Sequence, residues 1–305
     1  MSAQICGTVR VRAHAKINLN LRVLGRRPDG YHDLRTVFQA LALHDILRLT
    51  PVSGPFTLQS SDARVPTDST NLVWRAADSL WRHLGRAGAM RDVAIRIEKC
   101  IAMKAGLGGG SADAAAALAG LARLWGQDVP AADLVTLGRE VGADVPFFFT
   151  GGTALGVGRG DEISPLPDLP PLGVLLVLPA FDVSTADAYR WLDEDRSAGV
   201  AIRKSDGGPS DLRTSRVGDI EIANDFEPVV SVRHPQVTGI VTDLLNRGAV
   251  AAAMTGSGST VFGLYERDEV LAAAARTMNR LGCSLTITRT LTRAEYERAS
   301  APACL

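Results

Sequence analysis

Residues 104–125 read KAGLGGGSADAAAALAGLARLW. Gly106, Gly108, Gly109 and Gly110 crowd into five positions, and the chain then turns at once into alanine and leucine. Glycine reaches φ > 0 without penalty and lets a ligand approach the backbone closely. The first amides of a helix have no partner inside it and lie at the positive end of its dipole. Glycines followed by a helix therefore make an anion cradle suited to phosphate, whereas a plain strand-to-helix turn needs only one or two of them. Ser111 is the expected N-cap. Two well-known glycine loops do not fit. A P-loop needs a lysine after its last glycine, and Ser111 follows Gly110; a GxGxxG fingerprint started at Gly106 ends on Ser111, and started at Gly108 on Asp113. Asp113 suits the helix dipole but repels a phosphate, so a cation is wanted beside it: Lys99, Lys104 or Mg2+.

Upstream, DVAIRIE alternates Val93, Ile95 and Ile97 as a strand leading into the glycines. Asn71 to Leu84 spaces Leu72, Ala76, Leu80 and Leu84 four apart, an amphipathic helix. From Val9 to Val23 every odd position is apolar, which is strand periodicity over a length that calls for a bend or bulge. Lys16 and Asn18 share its polar face. RPDGYHDL then reads as a turn that exposes Tyr31 and His32, with short strands expected at DILRLT and FTLQS. Downstream, a helix is expected from Ser111 to Trp125 and another from about Ala131 to Val141, stopped by Gly142. The proline-rich SPLPDLPPLG is the best boundary, near residue 168, between a first domain at 1–168 and a second at 169–305. The second half reads as a strand at 174–178, a helix at 186–193, a polar mobile segment at 203–219, then helices, TGSGS between strands, a helix and a strand. Strands and helices alternate in both halves, which predicts two α+β domains.

A chain of 305 residues, 46% hydrophobic and 22% charged, has ample material for two cores. Lys plus Arg and Asp plus Glu number 33 each, so no net field draws the protein to nucleic acid or anionic lipid. LGVLLVLPAF, the longest apolar run, is half the roughly 20 residues a membrane helix needs and reads as a buried strand. The first residues lack the basic start and apolar core of a secretory signal, so a cytoplasmic location is expected. Cys6, Cys100, Cys283 and Cys304 are scattered without metal-ligand spacing and are read as reduced thiols.

Lys16 is one of four lysines in an arginine-rich chain. Its ammonium suits a point contact with a phosphoryl group, and equally a plain exposed strand position. In GADVPFFF, Pro146 is expected to hold Val145 extended, which fixes Asp144 between a helix end and a buried strand. Asp144 is either turn chemistry or a general base, and as a base it needs a cation nearby. MTGSGSTVF, with Gly256 and Gly258, is either a tight hairpin or part of a site.

Taken in order, AKINLNL, GLGGGSADAA, GADVPFF and TGSGSTVF resemble the motifs of the GHMP small-molecule kinases over about residues 10 to 265. DGYHDL and VSTADAY resemble the branch whose substrate carries a cytidine diphosphate group. The resemblance implies an N-terminal domain like ribosomal protein S5 domain 2, a ferredoxin-like C-terminal domain, and an active site in the cleft between them. It makes Lys16 and Asp144 the catalytic pair, using ATP with Mg2+. It assigns the ATP phosphates to Gly106, Leu107, Gly108, Gly109, Gly110 and Ser111, and the adenine side to Asn71 and Lys99. The cytidyl substrate falls to Tyr31, His32 and Tyr189, with Asn18, Thr185, Gly256, Ser257 and Gly258 nearby. A sister kinase for homoserine or mevalonate has no base to stack on Tyr31, and a regulator without chemistry has no use for both Lys16 and Asp144. Two positions depart from the pattern: Ala102 stands where the family often has proline, and Lys104 where it has a small residue.

Overall fold

The computed structural model describes residues 7–198, 215–278 and 282–305. Two antiparallel strands, β1 (Val9–Arg26) and β2 (His32–Pro55), form a long hairpin closed by the turn at Pro28–Gly30. The alternation seen in β1 is real: Val9, Val11, Ala13, Ala15, Ile17, Leu19, Leu21 and Val23 are all buried. The expected irregularities occur between His14 and Lys16, between Asn18 and Asn20, and between Val23 and Gly25. The two short strands expected after the turn are one long β2 followed by β3 (Thr57–Ser60). Continuity pays off in pairing: the first half of β2 bonds to β5 (Thr153–Gly158) and its second half to β4 (Arg91–Glu98).

With β6 (Glu162–Pro165) beside β5 and β3 beside β4, these strands build most of an eight-stranded sheet. Helices α1 (Leu72–His83), α2 (Gly109–Leu124) and α3 (Ala131–Val141) accompany it. The alanines of α2 let it lie close on the sheet: a Cβ at Gly120 would meet Leu49 at 2.9 Å and Val11 at 3.0 Å. α3 ends at Gly142 as its sequence indicated. A different outcome follows at Val145–Phe149, which is a 3-10 turn rather than an extended lead into a strand. Proline's fixed φ suits the first turn of a helix, and Phe147 and Phe148 bury their rings by coiling there.

From Gly173 the chain builds a second, four-stranded antiparallel sheet of β7 (Gly173–Leu178), β11 (Ala251–Met254), β12 (Val261–Tyr265) and β13 (Ser284–Arg289), in spatial order β11-β12-β7-β13. Between β7 and β11 come α4 (Thr185–Ser197), the short strands β8 (Arg216–Val217), β9 (Ile220–Glu221) and β10 (Ala223–Asn224), α5 (Phe226–Arg233) and α6 (Gln236–Asn246). With α7 (Asp268–Met278) between β12 and β13, this is the ferredoxin-like order of strand, helices, hairpin, helix and strand. The tail, α8 (Arg293–Ser300) and β14 (Ala303–Cys304), returns to β1, as does β10. Most of the polar segment expected to be mobile, and Cys6, lie outside the described residues. Cys100 and Cys283 are not in disulfides, but Cys304 is disulfide-bonded, which corrects the reading of four reduced cysteines.

β1 threads both halves. Val9, Val11 and Ala13 pack in the core under α1 and α2, whereas Leu21 and Val23 pack with Leu175, Val177 and α4. Between them Ala15, Ile17 and Leu19 join a cluster that includes Val174, Leu176 and Phe262. Lys16 and Asn18 project from the opposite face of this middle stretch, at the junction of the two sheets.

Candidate active site

The middle of β1 carries an ammonium that is nearly sealed from water, with Lys16 only 3% exposed. A buried charge needs partners. Its Nζ donates to Asn18 Oδ1 at 2.7 Å and lies 3.4 Å from Asp144 Oδ2, with the Phe38 ring centroid 5.6 Å away. Asn18 is fixed in turn, donating through Nδ2 to Thr36 Oγ1 at 2.7 Å and through its backbone amide to Thr255 Oγ1 at 2.9 Å. Asp144 differs in kind: its side chain is 36% exposed and faces the opening. A half-open carboxylate against a buried ammonium can accept a proton from an incoming hydroxyl while the cation steadies the resulting oxygen anion.

The glycine loop lies against this pair. Lys16 N donates to Leu107 O at 3.0 Å, which ties the loop to β1. Gly108 is the N-cap of α2 at φ 71°, so the helix starts at Gly109 and Ser111 stands inside its first turn, not at the cap. A side chain at Gly108 would lie 2.9 Å from Lys16 Cγ. Gly106, at φ +74°, packs so tightly on the TGSGS loop that a Cβ there would fall 2.4 Å from Thr255 O. The two glycine loops are thus one structure, and TGSGS is both a hairpin between β11 and β12 and a wall of the site.

A cavity of about 430 Å³ opens in front of these groups. It is lined by Lys16, Asn18, Gly106, Gly108 and Asp144, and across from them by Thr185, Tyr189, Gly256 and Ser257. Ser184 caps α4 by accepting from Asp187 N, and Thr185 Oγ1 lies 3.1 Å from Ser257 Oγ, joining the start of that helix to the TGSGS loop. Gly258 stands behind, its Cβ position 2.8 Å from Met254 Sδ. Tyr189 stacks face to face on His32, with centroids 4.5 Å apart, and meets Phe226 edge-on. Burial pushes the Tyr189 hydroxyl up to about 12, with Asp144 and Asp193 adding to the shift, so it stays a neutral phenol.

Not every expected residue converges. His32 is buried rather than exposed, with Nε2 2.9 Å from Asp193 Oδ1. Tyr31 is 58% exposed, and its ring lies under the Arg159 guanidinium, away from Tyr189. Asn71 caps α1, accepting from Val73 N at 2.8 Å and donating to Pro66 O at 2.7 Å. Gly109, Gly110 and Ser111 form the start of α2 beyond the cavity, beside Ile101, Leu72 and Gly142 respectively. Lys99 lies beneath Gly109, its ammonium held by Asp45 and, at 2.8 Å, by Asp113 Oδ2. Burial works against that ammonium, but Asp113 and Asp45 outweigh it and raise the Lys99 pKa. Lys99 is therefore the cation that Asp113 required. Asp45, fully buried, also accepts from the amides of Cys100 and Ile101 at 2.5 and 2.8 Å, fixing the approach to the loop.

Sequence reading missed Asp45, Thr36 and Thr255. Asp45 sits in the unremarkable run HDIL, and nothing local marks it as the partner of a lysine 54 positions away. Thr255 is the first residue of the TGSGS motif already singled out, and that membership was its one signal.

Comparison with known proteins agrees with this geometry. Residues 71–152 match the GHMP kinases N terminal domain and residues 212–282 the GHMP kinases C terminal domain. The 4-diphosphocytidyl-2-C-methyl-D-erythritol kinase of Pelotomaculum thermopropionicum is 43% identical, over 91% of this chain and 96% of its own. The enzyme of the same name from Moorella thermoacetica is 42% identical, over 92% and 98%. A crystal structure of 4-(cytidine 5'-diphospho)-2C-methyl-D-erythritol kinase has a TM-score of 0.73 at 33% identity, covering 92% of this chain and 98% of that one.

Proposed function

This chain belongs to the GHMP kinase family, and from that premise we propose that it transfers the γ-phosphoryl group of ATP to the 2-hydroxyl of 4-(cytidine 5'-diphospho)-2-C-methyl-D-erythritol. The observation that carries the reading is the buried Lys16 ammonium 3.4 Å from the half-open Asp144 carboxylate, beside the glycines that open α2. Asp144 takes the hydroxyl proton as the substrate oxygen attacks the γ-phosphorus. Lys16 pairs with that carboxylate and steadies the attacking oxygen. The bond from the γ-phosphorus to the oxygen bridging it to the β-phosphate breaks, and ADP leaves with that oxygen. Catalysis of this kind rests on positioning and charge stabilisation rather than on covalent chemistry by the protein. The amides from Gly106 to Ser111 cradle the phosphates, with Asn71 and Lys99 toward the adenine side. Thr185, Tyr189, Gly256, Ser257 and Gly258 serve the cytidyl substrate together with Asn18, Tyr31 and His32.

Among the described residues no group of three His, Cys, Asp or Glu side chains is arranged to hold a metal ion. Magnesium usually keeps several waters and rides on substrate phosphates with one or two carboxylates, so Mg2+ arriving with ATP fits a site of this composition. Bound there, it supplies neutralisation of the phosphate charge.

In this reading residues 1–168 are the ATP-binding half and residues 169–305 the substrate side, with the end of the chain returning to the first sheet. The product is the 2-phosphate of the cytidyl polyol, in non-mevalonate isoprenoid precursor synthesis, and we assign the enzyme to the cytoplasm. Among the described residues no helix is long and apolar enough to cross a membrane. Measurement of ADP release across the cytidyl polyol, homoserine and mevalonate tests the assignment. Turnover of the first is expected; turnover of either other alcohol without it would overturn the substrate assignment.

A further inference from the structure

Lys104 lines the cavity and holds a backbone conformation that L side chains rarely adopt, at φ 53°. Asp92 is the one other non-glycine residue with positive φ among the described residues, and it is exposed at the start of β4 and does not line the cavity. A strained non-glycine residue at the mouth of a site is an outlier that calls for a functional reason.

Two lysines line the cavity. Lys16 is held by Asp144 and Asn18, whereas Lys104 is exposed and has no ion-pair or hydrogen-bond partner among the described residues. Lys104 stands two positions before Gly106, the residue that packs on Thr255, so it emerges where the phosphate loop meets the TGSGS loop. The cavity it lines also takes in Thr185, Tyr189 and Ser257 and, of the phosphate loop, Gly106 and Gly108, while Asn71, Lys99 and Ser111 do not line it. Lys104 therefore shares a cavity with the residues proposed for the cytidyl substrate and not with Asn71 and Lys99, those proposed for adenine.

A substrate joined to cytidine through a diphosphate brings two anionic phosphates into a cavity that also contains Asp144 and Asp182. Hydroxyls such as Thr185 and Ser257 can hydrogen-bond phosphate oxygens but do not neutralise them. We propose that Lys104 binds the diphosphate of the cytidyl substrate, and so sets affinity for that substrate rather than for ATP. The inference rests on the function proposed above.

Steady-state kinetics with Lys104→Gln, Lys104→Gly and Lys104→Arg test it, together with calorimetric binding of CDP as the probe. Gly suits φ 53° and removes the charge, so it separates backbone strain from electrostatics. The expected result is a rise on the order of tenfold in KM for the cytidyl substrate for both Gln and Gly, as for loss of a charge-assisted contact. CDP affinity weakens by a similar factor, KM for ATP stays within about twofold, and Arg restores most of the loss. A rise in KM for ATP as large as that for the cytidyl substrate, or no change in CDP affinity, would overturn the proposal. Wild-type protein that neither binds CDP nor turns over the cytidyl substrate would instead overturn the function on which it rests.

Discussion

Lys16 and Asp144 stand 3.4 Å apart but differ in what surrounds them, and substitution separates the two effects. Among the described residues the Asp144 side chain has no partner but Lys16, and Asp144→Asn keeps a neutral oxygen beside that ammonium while removing its counter-charge, so folding stability falls by on the order of 1 kcal/mol. The same change removes the proton acceptor, and turnover falls by roughly 10²–10⁴-fold. Lys16→Met behaves otherwise. It leaves Asn18 Oδ1 buried without the ammonium, which costs about 1–3 kcal/mol, and it also removes the charge that steadies the attacking oxygen. Urea unfolding beside the ADP-release assay checks both. An Asp144→Asn enzyme with undiminished turnover would remove Asp144 from the role of base.

At the scale of elements, the site is made by two loops that touch through Gly106 and Thr255. Gly106→Ala places a methyl 2.4 Å from a backbone oxygen at φ +74° and is expected to cost roughly 2 kcal/mol or more. Relief requires the loops to part, which loosens Thr255 from Asn18 and raises KM for ATP. Gly85→Ala is the comparison, since Gly85 has φ +67° with open space around it. Its cost is strain alone, roughly 1–2 kcal/mol, with KM unchanged. If both variants lose the same stability and neither changes KM, the contact has no part in shaping the site. This contact also marks the limit of what the sequence reveals. The periodicity of β1, the four-residue spacing of α1 and the stop at Gly142 are local patterns, and each appears in the structure. The continuity of β2 and the coil at Val145–Phe149 were misread because pairing and ring burial, which are tertiary, override local turn and proline signals. For the site, motif order brought Lys16, the glycines and Asp144 into one proposal. Asp45 and the stacking of His32 on Tyr189 escaped it, because each depends on residues more than 50 positions apart.

In the whole molecule, two further buried groups, Asp113 on α2 and His14 on β1, set a balance that pH can reveal. Burial raises the Asp113 carboxyl to about 8 against the attraction of Lys99, and Asp45 adds to the rise. An unfolded carboxyl of this type ionises near 3.9, roughly, so between those values the native state keeps a proton that the unfolded chain has lost. Stability from this group falls as pH rises through that window. His14, on β1, has the opposite sign. Burial and then His44 lower it to about 4, whereas an unfolded histidine titrates near 6.5, roughly. Across that interval the unfolded chain binds a proton the native state refuses, so stability rises with pH. The two slopes oppose each other from about pH 4 to 6.5, and only that of Asp113 remains from about 6.5 to 8. Wild-type urea midpoints are therefore expected to change little over the lower range and to fall over the upper one. Asp113→Asn, which leaves Lys99 paired with Asp45, flattens the upper fall; His14→Gln extends the fall down toward pH 4. An Asp113→Asn protein whose midpoint still drops as steeply above pH 6.5 would mean that the carboxylates flanking Lys99 are both ionised in the native protein.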